Sequence, residues 1–250
     1  MHDAQPPVRA VIWDFDNTLV DSREKNLAVT RRIVAHLKGA WDGIPMLSSL
    51  ESYEEALWRT RNWRDLYRSE LGMDEETIDK AGGLWTGYQI AETTPAPILP
   101  GIPEALDALR HLPHAIFSAN SRRNIDETLN GHRLRDRFEA VVGYEEVHLR
   151  AQKPAPDGFL LCVERLGIDG PGVLLYVGDH EVDAECAANA NVELERRGMP
   201  FWALSVGADY GRCESSEWSL EPDYRAGSPN AVVRLAESLD RDSRRIPGEL

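Results

Sequence analysis

The chain has 250 residues, 42% of them hydrophobic and 28% charged, which is typical of a soluble globular protein with one large domain or one domain carrying an insert. Its formal net charge of -14 argues against nucleic acid or an anionic membrane as a partner, because both would repel it. Three widely separated cysteines predict neither a disulfide framework nor a zinc site. Since no apolar run approaches the roughly 20 residues of a membrane-spanning helix and no apolar leader follows Met1, we expect a cytoplasmic protein.

Four apolar runs predict buried strands. They span Val8–Trp13, His114–Phe117, Val173–Val177 and Phe201–Val206. Between them, apolar residues recur at helical spacing over residues 102–112 and 159–166, and Gly167 suits the end of the second helix. Strands that alternate with helices predict an α/β fold, in which helices cover both faces of a mostly parallel sheet. Functional side chains of such a sheet gather at the carboxyl ends of its strands.

A helix-favouring segment with almost no strand signal interrupts this alternation from Val20 to Thr93. The proline-rich stretch that follows, residues 94–101, cannot continue a helix and makes a stiff return to the main domain. We therefore predict an α/β core domain formed by residues 1–19 and 95–250, and a helical domain of residues 20–94 inserted after the first strand.

Two pairs of carboxylates follow predicted strands. Asp14 and Asp16 come directly after the first strand, two residues apart, so both side chains can face the same side. Asp179 and Asp183 follow the third strand and can share one face of a starting helix. Four carboxylates at one sheet edge would make an oxygen-rich pocket, and Mg2+ is the cation that usually pairs such carboxylates with a phosphate. The pattern therefore predicts a magnesium site.

Three further residues can contact an anion at that edge. Lys153 precedes Pro154, which keeps the lysine in an extended loop. Ser118 and Asn120 follow the second strand and can donate hydrogen bonds to phosphate oxygens. Considered singly, the lysine is a typical surface residue and the other two are typical turn residues. Only their combination with the carboxylates points to a phosphate site.

Together these segments resemble the motifs of the haloacid dehalogenase superfamily, in the family's order. The stretch Asp14-Phe15-Asp16-Asn17-Thr18 is similar to the first motif, and the segment from Gly178 to Asp183 is similar to the fourth. The second and third motifs correspond to Ser118 and Lys153. The resemblance implies a Rossmann-like, doubly wound core. It also implies that the helical insert is a mobile C1-type cap over the site, as in the phosphoglycolate phosphatase-like branch.

The resemblance also implies a role for each site residue. Asp14 would be the nucleophile that forms an aspartyl-phosphate, and Asp16 would protonate the leaving alcohol and then activate water. Asp14, the backbone carbonyl of Asp16 and Asp179 would bind Mg2+, and Asp183 would ligate the metal or support its ligands. The phosphoryl group would be held by Ser118, Asn120 and Lys153.

The second aspartate bears on the reaction class. Dehalogenating relatives need no acid for an alkoxide, and phosphonate-cleaving relatives lack this carboxylate, so Asp16 favours phosphate esters. We predict a Mg2+-dependent phosphatase of a small-molecule phosphomonoester, with phosphoglycolate-like substrates as the family default. A phosphomutase of the beta-phosphoglucomutase type would use the same two aspartates, and a catalytically silent binding scaffold is a third hypothesis. The sequence does not indicate an oligomeric state.

Some positions depart from the family's pattern. Asn17 stands where glycine is common, and asparagine also tolerates turn geometry. His180 stands where a small hydroxyl residue is common, and we interpret it as a helix-start residue rather than a site histidine. The insert contains aromatic and basic residues that could contact a leaving group, although tryptophans at helical spacing more often belong to the core of such an insert. They are Trp41, Trp58, Trp63, Trp85, Arg59, Arg61 and Arg64.

Overall fold

The structure is a computed structural model, and it describes residues 6–60, 62–211 and 218–244. The chain forms two compact units. One contains the residues up to Val20 together with those from Ile98 onward, and the other is Asp21–Pro97. These boundaries fall within a few residues of the predicted domain limits. The role of the second unit as a cap stays a prediction.

The first unit is built on a parallel sheet. Within the described residues its strands are β1 Val8–Trp13, β2 His114–Phe117, β3 Ala140–Val142, β4 Gly172–Gly178, β5 Phe201–Ala208 and β6 Tyr224–Ala226. They lie in the order β3-β2-β1-β4-β5-β6, and every neighbouring pair is parallel. This order confirms the predicted α/β, doubly wound fold. It also makes β1 and β4 central neighbours, which brings their carboxyl ends together.

Helices cover both faces of this sheet. Alternate residues of β1 enter two separate hydrophobic cores: Val11 and Trp13 lie in one, and Ala10 and Ile12 lie in the other. The first core includes residues of helices α5 Ile102–Ala108, α6 Arg122–Gly131 and α9 Pro229–Arg244. The second includes residues of helices α7 Asp157–Leu166 and α8 Glu181–Arg196. The central strands are therefore buried on both faces, which explains why they are apolar throughout.

The second unit is helical, as predicted. Its helices are α1 Arg23–Lys38, α2 Leu50–Trp58, α3 Trp63–Ser69 and α4 Glu75–Ala91, and they enclose a hydrophobic core of their own. Trp41, Trp63 and Trp85 pack partly buried against that core, in agreement with the interpretation from helical spacing. Trp58 is 42% exposed, so it contributes less to the packing. Arg61 lies outside the described residues.

The structure bears on two expectations from composition, those about membrane-spanning helices and about the cysteines. Among the described residues, no helix combines the length and apolar character that crossing a membrane requires. Cys162 and Cys186 are buried as free thiols, and burial raises the pKa of both. A raised pKa keeps a thiol protonated and unreactive. Cys213 lies outside the described residues.

The buried side chain of His114 makes the stability of the fold depend on pH. Trp13 donates its indole N–H to Nδ1 of His114 over 3.1 Å, so the ring proton resides on Nε2, which bonds the carbonyl of Leu109 at 3.2 Å. Burial lowers the pKa of His114 to about 4. As pH falls from about 6.5 towards 4, the unfolded chain gains a proton at this position and the folded chain does not. The free energy of unfolding therefore falls by about 2 kcal/mol by pH 5.

This loss can be measured by urea unfolding at pH 7.5 and at pH 5. In His114→Gln the part of the pH dependence that comes from the imidazole should disappear, so the variant should lose about 2 kcal/mol less than wild type between the two pH values. His132, which is exposed at the end of α6, provides the control His132→Gln. An equal pH dependence in wild type and His114→Gln would contradict this account.

Candidate active site

The first and the fourth motif meet at the carboxyl ends of the neighbouring strands β1 and β4. Trp13 pairs with Val177 in the sheet, and the backbone N–H of Asp14 donates to the carbonyl of Val177 over 2.7 Å. Asp14 thus follows β1 beside the point where Asp179 follows β4. The sheet register, and not proximity in the sequence, brings these aspartates together.

Three of the four predicted carboxylates form a cluster. Oxygen atoms of Asp14, Asp179 and Asp183 all lie within 4.8 Å of one another. Lys153 joins this cluster: its Nζ lies 2.6 Å from Oδ1 of Asp14 and 2.7 Å from Oδ1 of Asp183. The lysine side chain is only 6% exposed. The residue that looked like a surface lysine in isolation is therefore a buried cation between two carboxylates.

The electrostatics of the cluster are unbalanced. The pKa of Asp14 is raised to about 7, mainly by burial and also by the charges of Asp183 and Asp16, against the opposing effect of Lys153. Burial also raises the pKa of Asp179 well above its ordinary value, and Asp14 and Asp183 add to that rise. Burial alone would lower the pKa of Lys153, but the Asp14 and Asp183 carboxylates outweigh it and raise that pKa. One ammonium group therefore faces three carboxylates.

Two aromatic residues hold the lysine and Asp183 in place. The Nζ of Lys153 lies 5.2 Å from the ring centroid of Phe117 and 5.3 Å from that of Tyr176. The Tyr176 hydroxyl donates to Oδ1 of Asp183 over 3.1 Å. The backbone N–H of His180 donates to the other oxygen of Asp183 over 3.2 Å. Sequence reasoning missed Tyr176, because a tyrosine within an apolar strand is indistinguishable from ordinary core.

These residues fit a divalent cation. The cluster offers only hard carboxylate oxygens, the type of ligand that Mg2+ prefers, and it has negative charge that Lys153 does not balance. The hydroxyl of Tyr210 is buried with no hydrogen-bond partner among the described residues. Burial raises the pKa of Tyr210, and the negative charges of Asp179 and Asp14 are near enough to add to that rise. A hydrated cation would supply both the missing charge and a partner for the hydroxyl.

Asp16 faces a different neighbour from the other three carboxylates. Its Oδ2 accepts a hydrogen bond of 3.0 Å from Nδ2 of Asn120. Ser118 lies on the same loop, where its Oγ accepts from the backbone N–H of Asn120 over 3.1 Å. Because that bond occupies only a lone pair, the Ser118 hydroxyl proton can still be donated to an anion. The structure thus brings all the predicted site residues to one edge of the sheet.

The positions that depart from the family's pattern are accommodated locally. Asn17 has a φ of 56°, in the left-handed region that asparagine tolerates better than most residues. His180 is the N-cap of α8, and its Nδ1 accepts from the backbone N–H of Val182 over 3.3 Å. The described geometry agrees with the interpretation of His180 as a helix-start residue.

Gly178 is required by the close approach of Asp183. A Cβ atom at this position would lie 2.2 Å from Oδ2 of Asp183. Asp183 cannot easily move aside, because Lys153, Tyr176 and the His180 backbone hold it. We expect Gly178→Ala to weaken Mg2+ affinity by about 10- to 100-fold, the usual effect of disturbing the support of a metal ligand.

Isothermal titration with Mg2+ would measure this effect without relying on activity. Gly83→Ala is the matched control, since Gly83 lies in α4 with no atom within 4 Å of its added Cβ. That variant should keep wild-type affinity. Wild-type Mg2+ affinity in Gly178→Ala would show that Asp183 does not support the metal site.

Known proteins are similar to this chain over the part that contains the site residues. The family model for haloacid dehalogenase-like hydrolases matches residues 8–191, which is more than half of the chain. A phosphoglycolate phosphatase from Escherichia coli strain K12 is 26% identical over 230 residues, covering 82% of this chain and 84% of the relative. A beta-phosphoglucomutase from Bacillus subtilis is 26% identical over 226 residues, covering 86% of this chain and 93% of the relative.

Solved structures agree in fold. The crystal structure of a HAD-superfamily hydrolase of subfamily IA from Geobacter sulfurreducens matches with a TM-score of 0.60 at 23% identity, covering 94% of this chain and 100% of that one. The comparisons also confirm the predicted enzyme class, a phosphatase of this family. Since the family match spans the motifs that meet at the ends of β1 and β4, the chain belongs to the haloacid dehalogenase-like hydrolases.

Proposed function

We propose that this protein is a Mg2+-dependent phosphatase that hydrolyses a small-molecule phosphomonoester through an aspartyl-phosphate at Asp14. The observation that supports it most is the Asp14 carboxylate, paired at 2.6 Å with the buried ammonium group of Lys153 and clustered with Asp179 and Asp183. A nucleophilic carboxylate beside a buried cation suits attack on a phosphoryl group, whose oxygens are negatively charged.

The proposed reaction has two halves. In the first, a carboxylate oxygen of Asp14 attacks phosphorus, the bond from phosphorus to the alcohol oxygen breaks, and Asp16 donates a proton to that oxygen. In the second, Asp16 takes a proton from water, the water oxygen attacks phosphorus, and phosphate leaves as Asp14 regains its carboxylate. The Lys153 ammonium and the Ser118 hydroxyl offset charge on the phosphoryl oxygens in both halves.

Asp14, Asp179 and Asp183 are the side chains that would hold the cation, together with the backbone carbonyl of Asp16 that the family resemblance implies. Bound Mg2+ would supply positive charge to the phosphoryl oxygens. The substrate class rests on the relatives, because the site residues described here suit the phosphate that all candidate esters share. The Escherichia coli relative is a phosphoglycolate phosphatase, so phosphoglycolate is the first ester to test.

The test is phosphate release from a panel of esters with Mg2+ or with EDTA. The panel contains p-nitrophenyl phosphate, phosphoglycolate and several sugar phosphates, and Asp16→Asn is compared with wild type. Asp169→Asn is the matched control, because Asp169 is exposed in the loop before β4. Release that requires both Mg2+ and Asp16 would support the proposal. No release of phosphate from any ester by folded, Mg2+-bound protein would refute it.

The Bacillus subtilis relative favours a second candidate, a phosphomutase that returns the phosphoryl group to a sugar. Such an enzyme would use Asp14 and Asp16 in the same way but would release little phosphate. Phosphorus NMR of the protein with a sugar 1-phosphate would separate the two functions, since a mutase converts the ester to an isomer and a phosphatase converts it to inorganic phosphate.

A further inference from the structure

The side chain of Asn120 is fixed in one orientation. Its Oδ1 accepts the backbone N–H of Ser121 over 2.8 Å and Nδ2 of Asn124 over 3.3 Å, while its own Nδ2 donates to Oδ2 of Asp16 over 3.0 Å. A backbone N–H can only donate, so the amide oxygen must face Ser121 and the NH2 group must face Asp16. Asn120 is 3% exposed. A flipped amide would lose both acceptor contacts and place an oxygen against a carboxylate.

The start of α6 provides the second support for this orientation. Ser121 is the N-cap of the helix, and its Oγ accepts the backbone N–H of Asn124 over 3.2 Å. Asn124 is only 4% exposed, at a helix position where burial favours an apolar residue. Its amide is directed to Asn120, so the helix start connects through Asn120 to the carboxyl group of Asp16.

The connection has a chemical consequence for Asp16. A general acid must present one oxygen to the departing alcohol in a defined direction. The hydrogen bond from Asn120 fixes Oδ2, and this sets the plane of the carboxyl group and the direction of its other oxygen. The sequence alone suggested that Asn120 binds the phosphate. The geometry favours a different use of the same amide.

We propose that Asn120 positions Asp16 as the proton donor to the leaving alcohol, and that Asn124 holds the Asn120 amide in the orientation this requires. The inference rests on the proposed function, in which Asp16 is the acid. It assigns both asparagines to the leaving-group side of the reaction and not to the binding of phosphoryl oxygens.

The test compares two esters that differ in their need for an acid. The p-nitrophenolate ion leaves without protonation, whereas an alkoxide such as that of glycerol phosphate does not. The ratio kcat/KM covers the steps up to alcohol release, so it isolates the first half of the reaction. We expect Asn120→Ala and Asn124→Ala to lower kcat/KM about 10- to 100-fold for the alkyl ester and less than about 3-fold for p-nitrophenyl phosphate.

Two further variants separate a loss of positioning from a loss of folding. Asn130 is exposed on the same helix, and Asn130→Ala should match wild type on both esters. If Asn124→Ala fails to fold, the nearly isosteric Asn124→Asp removes the same donor and should show the same selective loss. Equal losses on both esters, or no loss on either, would overturn the inference while wild-type turnover leaves the phosphatase proposal standing. The alkyl ester is therefore one that wild-type protein hydrolyses, and folded, Mg2+-bound wild-type protein that turns over no ester of the panel would overturn both proposals.

Discussion

Replacing Asp14 with asparagine is expected to lower kcat for phosphate release by at least about 10^4-fold, because the amide cannot attack phosphorus. The side chain keeps its shape, so the fold should persist. Asp14 is one of three clustered carboxylates, and burial raises its pKa to about 7. Removing one of these repelling groups should leave the thermal stability of the metal-free protein equal to or above that of wild type.

The measurement is phosphate release with Mg2+ beside a thermal melt of each protein. The control Asp169→Asn makes the same chemical change at an exposed position and should behave as wild type does. Residual activity above about 1% in Asp14→Asn would assign the nucleophile to another residue. A large drop in melting temperature would instead indicate that the carboxylate stabilises the fold.

Replacing Lys153 with methionine is expected to damage both activity and stability. The lysine pairs with Asp14 and Asp183, so its removal leaves buried carboxylates without their cation. Loss of one partner from a buried ion pair typically costs about 3–5 kcal/mol, and loss of a group that offsets transition-state charge lowers kcat by about 10^2- to 10^3-fold. Methionine keeps most of the side-chain volume, which separates the effect of charge from that of packing.

The stability loss in Lys153→Met should depend on pH. Carboxyl groups whose pKa is raised in the folded state stabilise it at low pH, and that contribution is lost as pH rises through the raised pKa. Lys153 lowers the pKa of Asp14, which is nevertheless raised to about 7, so removing the lysine raises that pKa further. The variant should therefore lose more of its free energy of unfolding at pH 8 than at pH 5. Urea unfolding at both pH values, with Lys80→Met as an exposed control on α4, measures this difference. An equal loss for both lysines would refute the role of Lys153.

Sequence patterns predicted the central strands and much of the site for physical reasons. β1 and β2 have the predicted bounds because their apolar runs are bordered by polar residues or proline. β3 and β6 were missed, since each has three residues and gives no usable periodicity. The elements that were missed lie away from the central pair of strands, so the predicted edge still contains the site.

Site residues were predictable where they belong to motifs. Asp14 and Asp179 stand out because charged residues directly after buried strands need an explanation, whereas Lys153 became predictable only in combination with these carboxylates. Tyr176 and Asn124 were not predicted, because their importance depends on contacts across the sheet edge that spacing does not reveal. Asn124 did leave one signal, a polar residue where the amphipathic pattern of α6 places a buried side chain.

The most direct test of the central claim is to locate the covalent phosphoryl group. Protein is mixed briefly with Mg2+ and a phosphate ester, quenched in acid, digested and analysed by peptide mass spectrometry. The account predicts a phosphoryl group on Asp14 in wild type and none in Asp14→Asn. With p-nitrophenyl phosphate, whose leaving group needs no acid, Asp16→Asn should carry more of it than wild type, because only the second half of the reaction is then slowed. Rapid ester turnover with the phosphoryl group on another residue, or with Asp14→Asn as active as wild type, would contradict it.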